Sequence, residues 1–155
     1  ATINAAISVT SDVTGYGTTI NNSMTMTKAG TIAGLDQATG LVRKTLTSTN
    51  EVDLLVVGAG VVADVTATKS AKLYIKNVNT DSSEYFTVGL GKASGGAAKQ
   101  ALSVAASDVR SVEIGRLYSG DWMIIPWVAA SDEHDVFVKP SVSTSMVIEY
   151  MVFFE

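Results

Sequence analysis

Apolar and polar residues alternate along much of this chain with the two-residue period of a β-strand. The C-terminal segment is the fullest case: Met146, Ile148, Tyr150, Val152 and Phe154 fall on one face, and Val147, Met151 and Phe153 flank the lone charge Glu149 on the other. Two apolar faces predict a strand that is central in its sheet or covered by another subunit. In KLYIKNVNTDSSEYFTVGLG, Leu73 and Ile75 oppose Lys72, Tyr74 and Lys76. After the polar NTDSS, the pattern resumes at Phe86, Val88 and Leu90. This predicts a β-hairpin.

Four more strands are expected in VRSVEIGRLYSG, where Val112 and Ile114 are in phase, in DWMIIPWVAA, in HDVFVKP through Val136 and Val138, and in the terminal TSMVIEYMVFFE. The polar breaks SG, SDEH and PSVS separate them by about ten residues, the spacing of a sandwich or barrel. In DWMIIPWV, Trp122, Ile124 and Val128 share one side and Met123, Ile125 and Trp127 the other, so at least one tryptophan must enter the core. Pro126 lacks a ladder donor and marks an edge or bulged strand.

The run DLLVVGAGVVADV is expected to be a strand buried on both faces and bent at Gly58 and Gly60. KASGGAAKQALSVAAS reads as a glycine loop followed by a weak strand or one short helix through Leu102 and Val104. In residues 1 to 50, Ile3, Ile7 and Val9 alternate, Met24 and Met26 keep strand spacing, and LVRKTLTST alternates again. These are read as an N-terminal arm or as peripheral strands. No long repeat is visible, so a solenoid or propeller is not supported.

Composition sharpens the picture. The 155 residues fit one domain, 1–155, with 46% hydrophobic and 17% charged residues and an abundance of Val, Ala, Ser, Thr and Gly that suits strands and turns. There is no cysteine, so neither a disulfide frame nor a thiolate metal site exists. A net charge of −4, with eleven basic residues dispersed along the chain, gives no basic stripe for nucleic acid. No basic-plus-apolar leader or membrane-length apolar run is seen, and Ala1 fits removal of an initiator Met. Synthesis as a soluble cytosolic protein is the expectation.

Candidate chemistry is sparse. GAGVVA, from Gly58 to Ala63, fits a dinucleotide fingerprint only if a helix follows, and the β-branched VVADVTATKS leaves no room for one before the strand at Leu73. SDEHD gathers Asp132, Glu133 and Asp135 around His134, the only histidine, which is the place to look for an ion but reads as a solvated turn. No serine sits in a nucleophile elbow, and Asp81, Glu84 and Asp121 fall in turns. The expectation is therefore no enzyme, no catalytic residue, no cofactor and no metal. Trp122, Trp127, Tyr118 and Tyr85 would make a sugar-stacking platform if exposed.

Ser70 to Glu155 resembles small virion proteins of tailed bacteriophages, especially cyanophage-like and other marine phages. The resemblance is carried by KLYIKNVNTDSSEYFTVGLG, by EIGRLYSGDWMIIPW with Leu117, Gly120, Asp121, Ile125 and Pro126 at a strand-turn-strand, and by VIEYMVFFE. It implies an all-β, jelly-roll-like β-sandwich: a viral structural protein of the capsid decoration or cement type, located in the virion. Its partners would be the major capsid protein and itself, as a homo-oligomer for which a trimer is one arrangement. Trp122, Trp127, Tyr150, Phe153 and Phe154 are the candidate subunit contacts. The alternative is a carbohydrate-binding module or a tail or baseplate β-sandwich.

Overall fold

A computed structural model of the chain describes residues 2–11, 17–91, 93 and 112–155. Its regular structure is almost all strand: β1 (Asn4–Ser11), β2 (Thr18–Thr25), β3 (Gln37–Ala38), β4 (Val42–Leu46), β5 (Val52–Leu55), β6 (Ala71–Asn77), β7 (Tyr85–Leu90), β8 (Val112–Tyr118), β9 (Trp122–Trp127), β10 (Val136–Pro140) and β11 (Met146–Phe154). Two 3-10 turns, Gly60–Val62 and Asp132–His134, complete it. Every strand pair is antiparallel.

Strands β5-β10-β7-β8 make one sheet, and β3-β11-β6-β9, with β4 also beside β11, make a second. β3 and β4 lie end to end along β11, against Phe153–Phe154 and Met146–Tyr150 respectively. Thr39 carries the ladder across the gap: its N–H donates to the Val152 carbonyl at 3.0 Å, and its Oγ1 accepts from the Val152 N–H at 3.0 Å. The pairing is nested, β7 with β8, β6 with β9, β5 with β10 and β4 with β11. A separate two-stranded ribbon, β1 with β2, precedes the sheets.

The two sheets share one core. Phe86, Val88, Leu117, Val136 and Val138 from the first meet Leu73, Ile75, Met146, Ile148 and Val152 from the second. The expected alternation of the last strand holds, with Met146, Ile148, Tyr150, Val152 and Phe154 buried in that core. β11 is also central, flanked by β6 on one side and by β3 and β4 on the other. β9 is an edge strand, as Pro126 demands.

Two expectations need correction. KLYIKN and EYFTVGL form strands with the predicted faces, but not a hairpin: β6 lies in one sheet and β7 in the other. The physical cause sits at Asn77, fully buried at the end of β6, whose Nδ2 donates to the Leu117 carbonyl of β8 at 3.0 Å. Two residues on, the Asn79 Oδ1 accepts from the Val147 N–H at 2.9 Å. The chain is thus clipped at a corner between sheets rather than turned back beside itself.

The second concerns DLLVVGAGVVADV, which is strand only to Leu55. Gly58 and Gly60 adopt φ of 71° and 60°, ending the pairing, and a 3-10 turn follows. Val62 and Val65 re-enter the core at 1% and 2% exposure, which accounts for the apolar density without a longer strand. Of KASGGAAKQALSVAAS, only Ala93 falls among the described residues, so its expected loop and strand or helix lie outside them.

Candidate functional site

Most of the exposed large apolar side chains belong to three elements. Among the described residues, thirteen large hydrophobics are exposed, and nine of them belong to the ribbon (Ile7, Val9, Ile20, Met24), to β8 (Val112, Ile114, Tyr118) or to β9 and its end (Trp122, Val128). β8 and β9 are the edge strands of their sheets and are joined by a tight turn at Gly120, φ 80°. The Asp121 carboxylate closes that turn by accepting from the Tyr118 N–H at 2.9 Å.

The ribbon is amphipathic in the manner its sequence dictates. Residues directly opposite one another share a face. Ala5 with Met24, Ile7 with Asn22 and Val9 with Ile20 therefore form one face, while Asn4 with Thr25, Ala6 with Ser23, Ser8 with Asn21 and Thr10 with Thr19 form the other. No charged residue occurs in 2–11 or 17–27. At its root the ribbon is fixed: Met26 is 1% exposed, its N–H donates to Ile3 at 2.9 Å, and its carbonyl accepts from the Leu35 N–H at 2.7 Å. Lys28 and Asp36 pair at 2.6 Å beside it, and the Glu155 carboxylate accepts from the N–H groups of Ala29 and Ser70 at 3.3 and 2.8 Å. The bond to Lys28 holds the Asp36 carboxyl below its usual pKa.

Between the ribbon and β9 lies a groove of about 230 Å³, lined by Ala5, Ala6, Ile7, Asn22, Ser23, Met24, Trp122 and Ile124. Trp122 stays 48% exposed there, and Ile7 and Met24 are exposed at 46% and 48%. The ribbon stands over β9 without closing onto it.

The five aromatic positions singled out from sequence do not come together. Trp127, Tyr150 and Phe154 are buried in the core of this chain, at 5%, 8% and 7% exposure, and the Trp127 Nε1–H donates to the His134 carbonyl at 2.8 Å. Phe153 is half-buried on the outer face of β11, and Trp122 is exposed on β9. What the sequence reasoning passed over is the ribbon face. Its signal, Ile7 and Val9 against Ile20 and Met24, was present as alternation in a segment read only as peripheral.

A partly exposed aromatic cluster lies on the outer side of β7 and β8. The Tyr85 and Tyr118 rings are 5.2 Å apart and tilted by 50°, and the Arg116 guanidinium sits 4.4 Å over the Tyr85 ring. Trp122 belongs to the other sheet and Trp127 is buried, so the four-ring sugar platform is reduced to this tyrosine pair.

The remaining motifs serve the fold. In GAGVVA the glycines make turns, and the three-residue 3-10 turn behind them presents no helix to a phosphate. SDEHD forms a turn as expected, but Asp135 is not solvated: it is 2% exposed, its Oδ1 accepts from the Val57 N–H at 2.7 Å, and its carbonyl accepts from Gly91 at 2.7 Å. It ties this turn to the one after β5. Among the described residues no group of three or more His, Asp or Glu is arranged to hold a metal ion, and no helix is long and apolar enough to cross a membrane. Compared with known proteins, the chain matches no family model, no curated protein and no solved structure.

Proposed function

We propose that this chain is a structural virion protein of a tailed bacteriophage, a capsid decoration or cement protein that binds and stabilises the major capsid protein lattice and associates with itself. The observation that carries the reading is that nine of the thirteen exposed large hydrophobics among the described residues belong to the ribbon, to the edge strands β8 and β9, and to the end of β9. Exposed apolar surface is costly to leave in water and, where it is concentrated, marks a protein contact. Repeated over a lattice, modest contacts multiply through effective concentration.

The nested pairing supports a jelly-roll-like architecture, because a jelly roll is one long antiparallel hairpin wrapped into two sheets, and capsid proteins use it repeatedly. Lectins use it too, so fold alone does not choose between them. Within the virion class, the head reading is ranked first on the sequence resemblance of Ser70 to Glu155 alone.

The test is co-sedimentation of the purified chain with phage heads lacking it. Saturable binding at lattice stoichiometry, with heads more resistant to heat or chelation, is the expected result; a chain that ignores heads removes the proposal. A second reading, a carbohydrate-binding module, is favoured by the partly exposed Tyr85–Tyr118–Arg116 cluster. It predicts glycan binding that Tyr118→Ala abolishes.

A further inference from the structure

We infer that the outer face of the β3-β11-β6-β9 sheet, with β4, is a docking surface for an acidic protein partner, one that sets at least two carboxylates around an apolar centre. Alternation in the sequence places the charges. In the register, Arg43 of β4 lies opposite Glu149 of β11, Glu149 opposite Lys76 of β6, and Lys76 opposite Trp122 of β9. Residues directly opposite one another share a face. The two-residue period carries that face on to Met151, Tyr74 and Ile124, and then to Phe153, Lys72 and Pro126. Three cations and one carboxylate therefore stand on the outer side of these strands. The other eight basic and fourteen acidic residues leave −6 in the rest of the chain, so this face has the opposite sign to the molecule as a whole.

The three cations are not used alike. The Glu149 carboxylate accepts from the Arg43 Nε at 2.8 Å and from the Tyr74 hydroxyl at 3.4 Å, although Lys76 is its direct neighbour across the ladder. Among the described residues, neither Lys76 nor Lys72 has an ion pair or a hydrogen bond. The carboxylates at the margins of the sheet are also engaged, Asp121 by the Tyr118 N–H and Glu155 by the N–H groups of Ala29 and Ser70. Two ammonium groups are left without a counter-charge, one on each side of Tyr74. Between and beside them the face is apolar: Ile124, Met151 and Phe153 are half-buried, and Trp122 is 48% exposed.

The free ammonium groups select the partner. A contact that covered Lys72 and Lys76 without opposing carboxylates would bury two unpaired charges, which is strongly unfavourable. Carboxylates set against them supply the complementarity that fixes partner and register. The lysine stems and the Tyr74, Met151 and Trp122 side chains then lose water together, as at the centre of a protein contact. Nucleic acid fits less well. A polyanion calls for many cations along its track, and here two free ones stand on a chain of net charge −4. The groove between Trp122, Ile124 and the ribbon continues the same face at its β9 margin.

The inference adds a face and a partner chemistry to the proposed function and does not depend on the partner being a capsid protein. It is tested on the full chain with a random copolymer of glutamate and leucine as the acidic, apolar probe, and with oligo(dT) as a polyanion of another class. Binding is followed by tryptophan fluorescence at low ionic strength, where charge contacts are least screened. Wild type is compared with Lys72→Gln/Lys76→Gln and with Arg116→Gln/Lys139→Gln, which removes the same charge from the outer face of the other sheet; thermal melting controls for folding. The expected result is saturable copolymer binding whose dissociation constant rises at least about tenfold in Lys72→Gln/Lys76→Gln and less than about twofold in the other double variant. No binding, or an equal loss in both double variants, overturns the inference. So does oligo(dT) binding tighter than copolymer binding and lost in Lys72→Gln/Lys76→Gln, because the partner is then a nucleic acid. A wild type that self-associates in sedimentation equilibrium, and stops doing so in that variant, overturns it too, because the occupant is then a second copy. A chain that binds the copolymer but ignores phage heads removes the decoration reading and leaves this one standing.

Discussion

The Asn77 Nδ2 donates to the carbonyl oxygen of Leu117 at 3.0 Å, tying β6 of one sheet to β8 of the other. The Asn77 backbone continues the clip, its N–H donating to Asp121 and its carbonyl accepting from Gly120, both at 3.0 Å. Because Asn77 is fully buried, removing its amide strands the Leu117 carbonyl and the Asn79 N–H, which donates to the Asn77 Oδ1 at 3.0 Å. Asn77→Ala is predicted to cost about 2–4 kcal/mol, from the usual penalty for unsatisfied buried groups. For a chain of this size that lowers the melting temperature by roughly 5–15 °C. Asn77→Asp should fall further, since it also buries a charge against a carbonyl. A melting curve unchanged by either variant would show that the corner is held elsewhere.

Gly89 is required by a neighbour rather than by its backbone angles. A Cβ there would overlap the Phe137 ring on the adjacent strand β10 and approach the Val112 carbonyl oxygen to 2.6 Å. Gly89→Ala should therefore destabilise by about 1–3 kcal/mol, the range for overpacking. Phe137→Leu in the same chain should relieve part of that loss. A double-mutant cycle in urea checks it: coupling of at least about 0.5 kcal/mol is expected for residues in contact, and strict additivity would refute the contact.

How far the sequence reached is clear from these same residues. The faces of β6 and β11 were legible because alternation reports which side of a strand is buried, and Pro126 marked β9 as an edge. Sheet membership was not legible. It depends on partners far along the chain, such as Leu117 for Asn77 and Val147 for Asn79, and nothing local in NVNTDSS distinguishes a corner from a hairpin. The same limit explains the aromatics. Trp127 and Trp122 look alike in DWMIIPW, and only the side facing Ile75 and Val136 goes inside. The ribbon face was written in Ile7, Val9, Ile20 and Met24, but its pairing register is needed before the four become one surface.

Glu149 is the one acidic residue on the outer face of the central strand β11, and it is 6% exposed. Its carboxylate accepts from the Arg43 Nε at 2.8 Å and the Tyr74 hydroxyl at 3.4 Å. Removing the cation while leaving a buried carboxylate is worse than removing both. Arg43→Ala should thus cost about 1–3 kcal/mol, less than a fully buried pair because Arg43 faces solvent. Arg43→Ala/Glu149→Gln should recover most of the loss. Chemical denaturation of the three variants decides it, and equal losses for the single and double changes would contradict the pairing.

Alkaline stability should be limited by two tyrosines. Burial pushes the Tyr74 hydroxyl above its ordinary pKa, with the Glu149 charge adding to it, and burial does the same for Tyr150. A phenol whose folded pKa lies above the unfolded value stabilises the fold fully below about pH 10. Above that value the unfolded chain ionises first and stability falls as pH rises through the folded pKa. Melting temperature should therefore drop beyond about pH 10, and Tyr74→Phe/Tyr150→Phe should flatten the drop. Tyrosinate absorbance followed against pH would show the two groups titrating late in the wild type. An equally steep decline in the double variant would assign it to other groups.

The two tryptophans give a direct optical view of the proposed contact. Trp127 is 5% exposed with its indole N–H bonded to the His134 carbonyl, whereas Trp122 is 48% exposed beside the groove. Acrylamide, a neutral quencher, should quench the free protein in two components, one accessible and one shielded, and Trp122→Phe should leave only the shielded one. If the outer face of β6 and β9 is where the acidic partner docks, adding the glutamate–leucine copolymer should remove the accessible component in the wild type, because Trp122 enters a dry contact. The shielded component is an internal reference, since Trp127 is enclosed by its own chain in either state. Lys72→Gln/Lys76→Gln, which leaves both tryptophans in place, should keep the accessible component at copolymer concentrations where the wild type has lost it. An accessible component that persists in a demonstrated complex would place the contact away from Trp122 and move attention to Val112 and Ile114 on the neighbouring edge.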